Sequence, residues 1–291
     1  MSRLRRHFES LIEPADIRLD GDRPWDVRVH DDRMFQRVFA SGTLGLGEAY
    51  MDGWWDCEAI DQMVDRAHRS KIAQRLTSPT AALRVAEAKL LNLQRGKRAF
   101  EVGERHYDIG NDLYASMLDS QMIYSCGYWR NADDLEAAQL AKLELVRNKL
   151  ALEPGMRVLD IGCGWGGAAR YLAEQAGCEV VGLTVSVEQA KLARERCDGL
   201  TVEIRVQDYR EIDEKFDRVY SIGMFEHVGV KNYRTYMQAV GRCLSDPDGL
   251  TLLHTIGGNR SSSRTDPWMD RYIFTHSVLP TAGQITKAAE G

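Results

Sequence analysis

Val158-Leu159-Asp160-Ile161-Gly162-Cys163-Gly164-Trp165-Gly166-Gly167 decides how the rest of this chain is read. An apolar run ends in an acid, glycines crowd the next six residues, and Ala168 to Ala176 then has helical composition. A strand that stops in glycines and turns into a helix forms a cradle. Glycines let the backbone turn tightly and approach a ligand, and a helix start offers unpaired N–H groups.

The same alternation continues downstream. Met156–Ile161 is the first strand and the helix after the glycines closes at Gly177. Glu179–Leu183 is a second buried strand, and Ser186-Val187-Glu188-Gln189 caps the next helix. Val202–Val206 is a third strand ending at Gln207-Asp208, Phe216–Ile222 a fourth and Leu250–His254 a fifth, with a helix over Asn232–Leu244 between the last two. Upstream, Asp133-Asp134-Leu135-Glu136 resembles a capping box, and Leu143, Val146 and Leu150 follow on one helical face up to Pro154-Gly155. Strands alternating with helices imply an α/β, Rossmann-like fold, a mostly parallel sheet flanked by helices.

The N-terminal part has another character. Met34–Phe39 is apolar and helix-like, and Ser41–Gly47 is a glycine-punctuated turn. Glu48–Cys57 concentrates Tyr50, Met51, Trp54 and Trp55, which suits a core or an interface. Ile60, Met63, Val64 and Ala67 step at helical spacing, and residues 71–105 are helical in propensity. Residues 1–30 show no clean period; Arg3, Arg5 and Arg6 suit either an anionic membrane surface or a solvated helix. Gln94–Arg98 reads as a linker, dividing a small, mostly helical domain (1–100) from a catalytic one (101–291).

Composition narrows the function classes. A net charge of −5 argues against nucleic acid as the partner. The six cysteines include no C-x-x-C pair, so free thiols in a reducing cytoplasm are expected, with neither a zinc site nor a disulfide framework. No apolar run approaches a membrane span, and the start lacks the apolar region of a secretory signal.

The glycine spacing admits two nucleotide ligands. Gly162-x-Gly164-x-x-Gly167 matches the dinucleotide fingerprint, and Asp160-x-Gly162-x-Gly164-x-Gly166 matches the nucleoside cradle of S-adenosylmethionine (SAM) methyltransferases. A dinucleotide site wants an acid about 20 residues past the glycines. The second strand instead ends Gly182-Leu183-Thr184, which weakens NAD and also the commonest SAM pattern. Thr184 and Gln189 could supply a hydroxyl and an amide in its place. Asp208 suits an adenine amino group, and Asp160 the methionine end of SAM.

Three further stretches carry chemistry: Glu104–Asp112 leading to Met122–Trp129, Gly223–Gly229, and His254–Gly257. Glu226 and His254 follow strand ends beside the cradle, where an acid and a histidine are functional candidates. His254 alone also suits a satisfied buried histidine, and Cys126 alone a small buried hydrophobe. A metal site of Glu226, His227 and His254 has no supporting spacing. Tyr124, Tyr128, Trp129 and Phe225 are candidate aromatic faces for a cation.

Tyr124-Ser125-Cys126, Leu159–Gly166, Gly223–Gly229 and Leu253–Gly257 resemble the signature stretches of cyclopropane-fatty-acyl-phospholipid synthases and the related mycolic acid cyclopropane synthases. Gly47–Trp55 resembles the N-terminal domain of the phospholipid-acting branch. The resemblance implies a SAM-dependent methyltransferase fold and transfer of a methylene from SAM to the cis double bond of a phospholipid acyl chain. It implies bicarbonate as the base that deprotonates a carbocation. By that resemblance Cys126, Glu226, His254 and the Ile256 backbone hold bicarbonate. Tyr124, Ser125, Gly162, Gly164, Thr184, Gln189, Asp208 and Tyr209 line SAM, with Asp160 and Gly166 in the same cradle. It also implies a homodimer, cytoplasmic and peripherally associated with the membrane, with the N-terminal domain serving dimerisation and lipid contact. Family chains continue past the position matching Gly291, through a further tyrosine of the base site, a cysteine and helices that enclose the lipid. A fragment or a shortened paralogue with an open acyl pocket is therefore expected. Two alternatives remain: another methylated lipid or small-molecule product from the same site, or a SAM- and lipid-binding module without turnover.

Overall fold

The computed structural model describes residues 2–72, 111–262 and 265–290. Two compact units divide the chain: Met1–Leu91 with Asp266–Ile273, and Asn92–Thr265 with Phe274–Gly291. The helical stretch expected over 71–105, the Gln94–Arg98 linker and the domain boundary near 100 fall largely or wholly outside the described residues.

The first unit is built from short elements around one apolar cluster. These are α1 (Arg3–Ile12), β1 (Arg28–Val29), α2 (Arg33–Ser41), α3 (Thr43–Met51), β2 (Trp55–Asp56) and α4 (Ile60–Arg69). Phe8 and Ile12, one turn apart on α1, pack with Met34, Phe35 and Val38 of α2 and with Trp55. Arg5 lies over the Phe35 ring and is paired with Asp20 and Asp32, so of the three N-terminal arginines Arg3 and Arg6 are the exposed ones. The turn expected over 41–47 is helix from Thr43 onward. Within that helix, position 45 requires glycine, because α2 packs so close that a Cβ there would meet the Arg37 carbonyl oxygen at 2.3 Å. The aromatic cluster divides: Trp55 is core, whereas Tyr50 and Met51 are exposed. On α4, Met63 is buried, but Ile60 and Val64 face solvent.

The second unit is the expected parallel α/β structure. After α5 (Asn111–Met117) and α6 (Leu135–Lys149), β3 (Arg157–Ile161), α7 (Gly167–Ala176), β4 (Glu179–Thr184), α8 (Val187–Arg196), β5 (Val202–Val206), β6 (Arg218–Ile222), α9 (Tyr233–Cys243) and β7 (Thr251–His254) follow. Asp134, one residue later than the expected box, caps α6 by accepting from Ala137 N at 2.7 Å; no box forms, since N3 is then Ala137, and Glu136 accepts from Ser120 instead. The sheet order is β5-β4-β3-β6-β7, with each neighbouring pair parallel. The chain reverses its direction of travel between β3 and β6, so a crevice opens there at the strand carboxyl ends. Two apolar clusters, one around Leu159, Val181, Val219 and Phe225, the other around Val158, Leu172 and Tyr220, hold the sheet. Of the last two helices, α10 (Pro267–Tyr272) belongs to the first unit and α11 (Ala282–Ala289) to the second.

Candidate active site

A cavity runs along the carboxyl ends of β5, β4, β3 and β6. The glycine loop after β3 forms its floor. Gly162, Gly164 and Gly166 all have positive φ, at 89°, 55° and 80°, a region where side chains are strained. A Cβ on Gly162 would stand 2.7 Å from the Met224 side chain, while nothing lies within 4 Å of that position on Gly164. Gly166 differs from the other two: it is the left-handed residue capping α7, packed against Ala193 and Cys197, and it is not a wall of the cavity.

The remaining cofactor candidates converge on this cavity. Asp160, Gly162, Gly164, Thr184, Gln189, Asp208, Tyr209, Tyr124 and Ser125 all line it. The Thr184 hydroxyl donates to Gln189 Oε1 at 2.9 Å, which fixes the amide of the first turn of α8. Asp208 is held by Arg210, whose Nε donates to Oδ1 at 2.8 Å while its other arm reaches Oδ2. Asp160 is fully shielded; Tyr220 O–H, its register neighbour on β6, donates to Oδ2 at 2.8 Å. Burial pushes the Asp160 carboxyl up to about 7, with the Tyr220 hydrogen bond opposing the shift.

The proposed base site lies beyond the β6 end of this cavity and contributes none of its walls. Cys126 Sγ and His254 Nε2 stand 3.6 Å apart. Glu226 is buried, and its Oε1 accepts from Ile256 N at 2.7 Å. The Ile256 N–H is therefore already used in orienting Glu226. Two polar atoms of this cluster, Glu226 Oε2 and His254 Nδ1, are buried and meet no partner among the described residues. Such orphaned groups are costly unless a ligand meets them. Burial, and next the Lys142 ammonium, lower the His254 pKa, so the imidazole is neutral at pH 7.

Other expectations are redistributed. Phe225 is fully buried in the core, stacked on Tyr233 at 4.3 Å, and is not a face of the cavity. Tyr128 and Trp129 are exposed and do not line it. Tyr124 does, in a ring pair with Tyr114 and with Phe274 behind it. Trp165, Met224 and Arg210 are walls that motif reading passed over, and His227, weighed there only beside Glu226, is another. Trp165 donates from Nε1 to Asn111 Oδ1 at 2.9 Å; the rest of Glu104–Asp112 before Asn111 lies outside the described residues. Lys142 and Gln139 were also passed over, although both interrupt the apolar stripe of α6.

Comparison with known proteins agrees with the fold. Residues 94–291 match the family model of mycolic acid cyclopropane synthetase. The chain is 51% identical over 286 residues to the cyclopropane-fatty-acyl-phospholipid synthase of Escherichia coli strain K12, covering 98% of this chain and 75% of that protein. Among solved structures, the cyclopropane synthase MmaA2 from Mycobacterium tuberculosis matches at TM-score 0.61 and 33% identity, over 65% of this chain and 73% of that one. The mycolic acid cyclopropane synthase CmaA1 complexed with SAH and CTAB matches at TM-score 0.60 and 33% identity, over 65% and 72%.

Proposed function

This chain belongs to the mycolic acid cyclopropane synthetase family, and on that premise we propose that it is a SAM-dependent cyclopropane-fatty-acyl-phospholipid synthase. The observation that carries the reading is the pairing of a glycine-floored cavity suited to SAM with a separate cluster of orphaned polar groups at the next strand ends. Bound SAM supplies an electrophilic methyl to the cis double bond of an acyl chain; the resulting cation loses a proton from that methyl and closes to cyclopropane.

The residues of this chain prepare that event. The glycine loop and Asp160 hold the methionine end, Thr184 and Gln189 face the ribose, and Asp208, steadied by Arg210, faces the adenine. Tyr124 offers an aromatic face toward the reacting centre. Bicarbonate is the base we assign: Cys126, His254 and Glu226 would hold it, the two orphaned atoms fit its donor and acceptor oxygens, and it would accept the departing proton. Ile256 acts through its N–H as the residue that aims Glu226. We further assign the work to a homodimer, cytoplasmic and peripheral at the membrane surface. Exposed Leu4, Tyr50 and Met51 of the first unit are available for lipid contact or pairing. No helix among the described residues is long and apolar enough to cross a membrane.

The test is methyl-deuterated SAM with vesicles of unsaturated phospholipid. Acyl chains carrying a ring and missing a deuterium from the transferred carbon are expected. A product that keeps the whole deuterated methyl assigns a methyl-branching activity instead, and SAM binding without product assigns a binding module. Glu226→Gln is expected to lower turnover on the order of a hundredfold while SAH affinity stays within about twofold. Equal loss of both makes Glu226 a structural residue.

A further inference from the structure

Lys142 is an almost fully buried lysine, 4% exposed, on the inner stripe of α6. A buried ammonium is expensive unless something needs its charge. Its hydrogen bond runs to Ser125 Oγ at 2.7 Å. The two carboxylate oxygens of nearby Asp119 accept from Ile123 N and Gln121 N, so that acid shapes the loop. Cys126 and His254 are the other titratable groups facing the amine. Lys142 thus stands as a cation behind a wall of the cavity, hydrogen-bonded to the hydroxyl of a residue that lines it.

Resting on the SAM assignment above, we propose that Lys142 is a positioning residue for the carboxylate of the SAM amino-acid end, acting through Ser125. The ligand's direction follows from the order of strand ends. Asp208, the adenine contact, follows β5, at one edge of the sheet. Ser125 sits over the far end of the cavity: its Cβ lies 3.6 Å from the Cβ position of Gly223, just after β6. A nucleoside bound at β4 and β5 therefore extends its amino-acid end toward β3, β6 and Ser125. That end carries an ammonium and a carboxylate. With the Lys142 charge accepted at Oγ, the Ser125 hydroxyl turns its hydrogen to the cavity as a strengthened donor. The local positive charge attracts the carboxylate and turns the ammonium away. Burial pulls the Lys142 amine down to about 8, which leaves it mainly protonated at neutral pH.

The experiment compares the binding of SAH with that of decarboxylated SAH, which keeps the adenosine, the thioether and the amine. Lys142→Met is expected to weaken SAH about tenfold and to leave decarboxylated SAH within about twofold. Ser125→Ala is expected to lose the same increment, and the double variant no more than either alone. Unchanged SAH affinity overturns the proposal, as does an equal loss for both ligands, which is the mark of a merely structural lysine; additive losses overturn the Ser125 route. Should Lys142→Met not fold, Lys142→Arg against Lys142→Gln decides: the discrimination between ligands is kept in the first and lost in the second, and equal discrimination refutes the charge. Wild-type protein that binds neither ligand refutes the SAM assignment instead.

Discussion

Asp160 ends β3 with its carboxyl in the interior, touched by the Tyr220 hydroxyl and bordering the cavity. Its folded-state pKa of about 7 lies far above the ordinary carboxylate value near 4. Between those values the folded state holds a proton that the unfolded state has released. Stability of the ligand-free protein therefore falls as pH rises through that window, by about 1.4 kcal/mol per pH unit for this group, and levels off above it. Asp160→Asn keeps an acceptor for Tyr220 and is expected to remove that slope in urea melts from pH 4 to pH 8. Parallel slopes in the two proteins would refute the assignment. At this scale the legible residues were those next to strand ends: Asp160, Gly162, Thr184, Asp208, Glu226 and His254 follow an apolar run that announces where the backbone surfaces. Lys142 and Tyr220 were not legible. Each lies inside an element, where a lysine reads as solvated and a tyrosine as core, and only packing against a different element gave them polar partners.

Among the elements, the glycine loop is the most constrained. Gly162 combines a φ of 89° with the Met224 side chain at its Cβ position, so both backbone and space exclude a larger residue. Gly162→Ala is expected to cost about 1–2 kcal/mol from the left-handed backbone alone, plus the displacement of Met224. Thermal melts should register that loss, and SAH affinity should fall further than stability does, because Met224 is itself a wall. A variant with native SAH affinity would show that the cradle tolerates a side chain. The helix start at Ser186 was readable, and that at Asp134 to within a residue, because a capping side chain bonds to an N–H group only three residues on. The stretch 41–47 misled for the opposite reason. Glycine usually punctuates, but Gly45 is there to let α2 and α3 touch, and its partner Arg37 is distant enough in sequence to leave no local signal.

On the scale of the molecule, the described residues that line the cavity proposed for SAM all belong to the second unit. Hydrogen exchange with and without SAH is therefore expected to show protection over 122–125, 160–168, 183–189, 207–210 and 222–228, with little change across α1 to α4. Protection centred on 28–56 would place the nucleotide elsewhere. Sequence alone determined the parallel α/β class, the five core strands and the carboxyl-end loops that bear the site, because periodicity and glycine spacing are local consequences of covalent geometry. The same loop, once its strand partners were absent from view, left NAD and SAM both open. The tertiary structure decided the strand order that brings Asp208, Thr184, Asp160 and the Gly162 loop, the contacts proposed for SAM, along one edge. It also decided which groups are buried and therefore perturbed: Asp160, Lys142 and His254 owe their protonation to neighbours brought from other elements, and desolvation exists only after the chain has packed.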